Sequence, residues 1–129
     1  MAILNFLKYA DGEDSYSKFK KELIQKHKNE EEKYIAPLEI VISDFCKYGP
    51  LMNKSYPKAF PPYKKLSDID PNLAELRTKE CRFFIYKYDK QTWVGFHGYE
   101  KQGQEMPKNE KAKVKGEIKL WKKLIKMKS

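Results

Sequence analysis

The chain has 129 residues with 27 basic and 18 acidic side chains, for a net charge of +9. Its 40% apolar and 14% aromatic content is enough to bury a core, so the 35% charged fraction reads as the surface of one folded domain spanning 1–129 and excludes a disordered chain. No run approaches the roughly 18 apolar residues of a membrane span, the N-terminal apolar run lacks the basic start of a signal peptide, and Cys46 and Cys81 have neither CxxC nor metal-ligand spacing, so the expectation is a cytoplasmic protein with two free thiols and no zinc or disulfide.

The charge is uneven. Residues 101–129 hold ten lysines and three glutamates, net +7, which leaves +2 for the first hundred residues. A basic element on a nearly neutral body points to a polyanionic partner, nucleic acid or an acidic protein, ahead of an acidic membrane surface.

In chain order, the apolar run 2–10 predicts a strand ended by "DGED". Asp14 or Ser15 then caps a helix carrying Tyr16, Phe19, Leu23 and Ile24 at helical spacing. Pro37 suits the first turn of a new helix better than an interior. Tyr34, Leu38, Val41, Ile42 and Phe45 extend that second helix to about Tyr48, where Gly49-Pro50 stops it. Five prolines in residues 50–72 mark a long surface connection. "LAELRT", "CRFFIYKY" and "TWVGFHGYEK" then read as three strands joined by short loops, hence an antiparallel sheet. Pro107 opens a last helix whose apolar stripe is Val114, Ile118, Trp121 and Ile125. The fold class expected is α+β, with one sheet face covered by helices.

Only two of the basic residues are arginines, Arg77 and Arg82, and they stand five apart in this strand region. An arginine fork holds phosphate or carboxylate bidentately, which a lysine point charge does not. Strand alternation places Arg77 and Glu75 opposite Leu76 and Ala74, and puts Trp93, His97 and Tyr99 opposite Val94 and Phe96. The simplest assembly buries Leu76, Val94 and Phe96 under the helices and shows Arg77, Trp93, His97, Tyr99 and Lys101 on the free face; the pattern does not assign Arg82. Cations interleaved with aromatics on a sheet suit single-stranded RNA, with bases stacked on rings and phosphates met by cations. The bland alternatives are rim packing for Trp93 and Tyr99, a satisfied half-buried His97, and a merely solvated lysine face on the last helix.

In this order, Leu76-Arg77, Arg82, His97-Gly98-Tyr99, Lys101 and Pro107 resemble the motifs of the RelE/ParE superfamily of bacterial toxins, in its HigB-like, phage-derived branch. The sharp motifs lie within 66–107. The chain departs from the pattern at Cys81, where an aromatic is common, at Tyr99 for phenylalanine, and at Gln102 for a second lysine. The resemblance implies a RelE-like fold: an N-terminal strand and two helices, a three-stranded antiparallel meander and a C-terminal helix. It also implies the toxin of a type II toxin–antitoxin pair, a metal-independent mRNA endoribonuclease acting on the 70S ribosome without a cofactor, and a cognate antitoxin that wraps the cationic face. In that chemistry the 2′-hydroxyl attacks the adjacent phosphate. The implied catalytic residues are Arg77 for phosphorane charge, Lys101 beside it, His97 for acid–base work, and Tyr99 to stack or donate a proton. Arg82 would bind RNA phosphate or instead anchor the sheet, and Trp93 would bind RNA, with Lys119, Lys122 and Lys123 of the last helix gripping ribosomal RNA. Two other readings share this resemblance: a ParE-like toxin that binds DNA gyrase, and a catalytically inactive nucleic-acid-binding relative.

Overall fold

The computed structural model describes residues 1–128. The elements are β1 (Ile3–Phe6), α1 (Ser15–Lys26), α2 (Glu31–Tyr48), a 3-10 helix (Gly49–Ser55), β2 (Tyr63–Lys65), β3 (Leu73–Arg77), β4 (Cys81–Lys87), β5 (Thr92–Glu100) and α3 (Lys108–Lys128). The strands form one mixed sheet in the order β1-β5-β4-β3-β2. Three of the four pairings, β5–β4, β4–β3 and β3–β2, are antiparallel, and β1 closes one edge parallel to β5. The α+β expectation therefore holds. Among the described residues no helix is long and apolar enough to cross a membrane.

Local chemistry explains the helix ends. Asp14 caps α1 by accepting the Ser17 N–H at 2.8 Å. Phe19 and Leu23 then bury one helical stripe, while Ile24 stays exposed. α2 begins at Glu31, so Pro37 lies inside it and not in a first turn. Pro37 cannot donate to the preceding turn, but Tyr34, Ile35, Leu38, Val41 and Phe45 all bury on the sheet, and that packing outweighs one lost hydrogen bond. The 50–72 connection also departs from a plain loop. Its middle forms β2, which pairs Tyr63 with Leu76 and Lys65 with Ala74.

Both sheet faces are covered, not one. α1 and α2 pack on the first face over Ala74, Leu76, Phe83, Ile85 and Trp93. α3 packs on the second over Leu73, Phe84, Tyr86, Val94 and Phe96, through Val114 and Ile118. Leu76 is thus buried under α1 and α2, whereas Val94 and Phe96 are buried under α3.

The pairing of β5 with β4 is irregular. Ile85 pairs with Gly95 and Phe83 with Gly98, so Phe84 alone opposes both Phe96 and His97. This β-bulge inserts one residue and reverses the parity of everything after it. Before the bulge, Trp93 faces α1 and α2. After it, Tyr99 packs with the α3 cluster, and Glu100 turns back to meet Lys26 and His27 of the α1 side.

Candidate functional site

α3 covers only part of its sheet face. Beside it lies a cleft of about 440 Å³ floored by Glu75 and Arg77 of β3, Arg82 of β4 and Tyr99 of β5. Lys64 and Lys65 of β2 form one wall, and the loop Lys101–Met106 with Lys111 of α3 forms the other. Six cations (Lys64, Lys65, Arg77, Arg82, Lys101, Lys111) face three carboxylates (Asp68, Glu75, Glu105), so the cleft favours an anion.

The two arginines are cross-strand neighbours, Arg77 opposite Arg82. Arg77 is half-buried and donates from Nε and Nη2 to the Pro61 carbonyl at 3.1 and 3.0 Å. That fixes one edge of the fork and leaves the other, the remaining N–H groups of Nη1 and Nη2, for a ligand. Arg82 is 7% exposed and donates from Nη1 to the carbonyls of Thr78 and Cys81 at 2.5 and 2.9 Å. It takes the cleft face, which alternation alone left open, and works chiefly as an anchor of the β3–β4 turn. The Phe60 ring lies 4.8 Å from the Arg77 guanidinium and 5.7 Å from that of Arg82.

Tyr99 is buried in the cleft floor, its ring 5.4 Å from Phe84. Burial, and then the neighbouring Glu75 charge, push its phenol above the ordinary value, so it stays protonated and can donate. Lys101 is exposed on the rim, and its backbone N–H is tied to Glu80 O at 2.9 Å. Glu75 is only 5% exposed and its Oε2 has no hydrogen-bond partner among the described residues. Burial raises its carboxyl above the usual value near 4.5, although Arg82, Arg77 and Lys64 pull the other way.

Two expected placements need correction. Trp93 is not on the cleft face: it is 3% exposed under α2, with ring edges against Phe45 at 5.2 Å and Tyr63 at 6.0 Å, and cannot stack on a base. The bulge separates it from His97 and Tyr99. His97 is on the α3 face but does not line the cleft. It is 3% exposed, with Nδ1 2.5 Å from Glu117 Oε1 and Nε2 2.9 Å from Glu110 Oε1, so both ring nitrogens are occupied by α3 carboxylates. It ties α3 to β5. Lys119, Lys122 and Lys123 are exposed, but they lie along α3 beyond the cleft, and Lys122 is paired with Asp70 at 3.0 Å. The lysine that α3 contributes to the cleft is Lys111. The site residues brought together are therefore Arg77, Arg82, Tyr99 and Lys101.

Sequence reasoning missed Glu75, Lys64, Lys65, Lys111 and Phe60. Glu75 had a signal, since it shares a strand and a face with Arg77. The β2 lysines had none, because a three-residue strand among prolines leaves no period to read. Arg77 also borders an apolar groove of about 260 Å³ formed by residues including Pro37, Ile40, Phe60 and Pro62. Cys81, at 0% exposure, packs under α2, and its thiol is pushed up to about 12 by burial, which suits a core position and not a nucleophile. Among the described residues no group of three or more His, Cys, Asp or Glu side chains is arranged to hold a metal ion.

No protein-family model matches the chain, and no curated protein matches it.

Proposed function

We propose that this protein is the toxin of a type II toxin–antitoxin pair, a RelE/HigB-like endoribonuclease that cuts mRNA on the ribosome. The observation that carries the reading is the convergence of the only two arginines in the chain on one cationic cleft, with Tyr99 and Lys101 beside them. These are four of the positions on which the family resemblance rests, and they come from three strands and a loop. A single RNA phosphate can enter such a cleft, and the Arg77 fork can hold two of its oxygens as charge builds in the phosphorane. Lys101 on the rim adds a mobile point charge near the leaving oxygen. Tyr99 supplies a neutral hydrogen-bond donor. Arg82 keeps the floor positive and the Arg77 strand in register. An antitoxin with an acidic segment would block the reaction by filling the same cleft.

The test is induced expression in bacteria with mapping of new mRNA 5′ ends, parent beside Arg77→Ala. Growth arrest with cuts inside translated frames, lost in the variant, is the expected result. Arrest without new ends would favour gyrase binding instead, and no arrest would favour an inactive relative.

A further inference from the structure

We propose that Glu75 is the proton acceptor of the cleft, taking the proton of the attacking 2′-hydroxyl. This rests on the nuclease reading and names the group that reading lacks. Cleavage by an internal hydroxyl needs a base within reach of the phosphate. His97 is occupied on both nitrogens by Glu117 and Glu110. Tyr99 is a donor, and the cleft lysines can give a proton but not take one. Asp68 and Glu105 are exposed at the rim. Glu75 alone is a carboxylate on the floor, two residues from Arg77 on the same face of β3.

Its geometry also calls for a ligand. A buried carboxylate oxygen without a donor is rare in a native structure and costly to keep. Glu75 Oε2 is such an atom, in a side chain 5% exposed, at the bottom of an open cleft. A hydroxyl donor brought to the Glu75 carboxylate at the cleft floor would relieve that deficit. Burial also raises the carboxyl toward the range where a base works best.

The step balances as follows. The O2′–H bond breaks and its proton moves to the Glu75 carboxylate as O2′ bonds to phosphorus. The P–O5′ bond then breaks, and the 5′-oxygen takes a proton from the Lys101 ammonium. The products are a 2′,3′-cyclic phosphate and a 5′-hydroxyl end, and Glu75 and Lys101 exchange protons with solvent to reset.

The experiment is single-turnover cleavage of a defined mRNA on 70S ribosomes from about pH 5 to about pH 9, with parent, Glu75→Gln and Glu75→Asp. Alongside it, binding to the same RNA carrying 2′-O-methyl groups is measured. The parent rate should rise with pH along an acid limb. Glu75→Gln should lose about 100-fold or more of the rate and the limb with it, while binding the methylated RNA as tightly as the parent. Glu75→Asp, which keeps the carboxylate, should retain a limb at reduced rate. A Glu75→Gln rate within about tenfold of the parent, a retained limb, or a loss of binding equal to the loss of rate would overturn the assignment. A parent that binds RNA and arrests growth but never cuts would sink the nuclease reading itself, and this proposal with it.

Discussion

Arg77 and Arg82 face each other across β3 and β4, two like charges in directly opposed positions under one phenyl ring. Such a pair is unfavourable on its own. Here the carbonyls of Pro61, Thr78 and Cys81 and the Phe60 ring offset it. The two arginines divide the work, Arg82 anchoring and Arg77 presenting. Arg77→Ala should therefore change unfolding free energy by no more than about 1 kcal/mol, since it also relieves repulsion. Arg82→Ala should cost about 1–3 kcal/mol, because the buried Thr78 carbonyl loses its donor and that of Cys81 keeps only the Thr78 N–H. Urea unfolding of both variants checks this, and an Arg77→Ala loss larger than that of Arg82→Ala would reverse the division.

Gly98 sits between His97 and Tyr99 because α1 passes directly over it. A Cβ there would run into the Phe19 ring and come within 2.7 Å of Phe83. Both rings are core, so neither moves freely. Gly98→Ala should cost about 1–3 kcal/mol through overpacking. Trimming the obstacle tests the cause: Gly98→Ala combined with Phe19→Leu should be destabilised by at least about 0.5 kcal/mol less than the sum of the two single changes. Simple additivity would mean that the clash is not the reason for the glycine.

His97 joins α3 to the sheet through Glu110 and Glu117. Removing the ring takes from both carboxylates the partner they share. His97→Ala should cost about 1–3 kcal/mol, and the loss should be local. Amide exchange should accelerate across 108–121 while α1 and α2 keep their protection. Cleavage should fall in proportion to the loosening of α3. If α3 stayed protected and cleavage alone vanished, His97 would be acting on the substrate after all.

The same strand shows where pattern reading works and where it stops. Alternation sorts β3 and β4 correctly, because each runs regularly between two buried faces: Ala74 and Leu76 against Glu75 and Arg77, Phe83 and Ile85 against Phe84 and Tyr86. β5 obeys the rule only as far as Phe96. A bulge adds a residue without changing composition, so nothing in "WVGFHGY" announces that Trp93 and Tyr99 end on opposite faces. The α3 stripe was legible from Val114 and Ile118, but the burial of His97 depends on two glutamates reaching back from that helix, which is tertiary information. Glu75 stands beside Arg77 on the same strand face, but a pattern of cations and aromatics on an RNA-binding sheet gives no weight to a carboxylate.

Glu75 finally predicts its own signature in stability. Burial is the largest influence on its carboxyl, and the partial pull of Arg82, Arg77 and Lys64 does not restore it, so the folded-state value lies above the usual one near 4.5. Raised in the folded state, the group binds its proton more tightly there than in the unfolded chain. Its stabilising contribution is thus complete below the unfolded value and is lost as pH rises through the folded value. At neutral pH the parent carries this penalty and Glu75→Gln does not. Glu75→Gln should therefore be at least as stable as the parent at pH 7, and its advantage should shrink as pH falls toward the unfolded carboxyl value. Glu100 is the internal contrast. Burial opposes its ionisation too, but the Lys26 and His27 hydrogen bonds prevail and its carboxyl is lowered, so Glu100→Gln should be destabilising at pH 7 and the difference should fade in acid. Thermal melts of the parent and both variants across this range give the two slopes directly. Slopes of the same sign would mean that the cleft floor is well solvated and that Glu75 is an ordinary surface carboxylate.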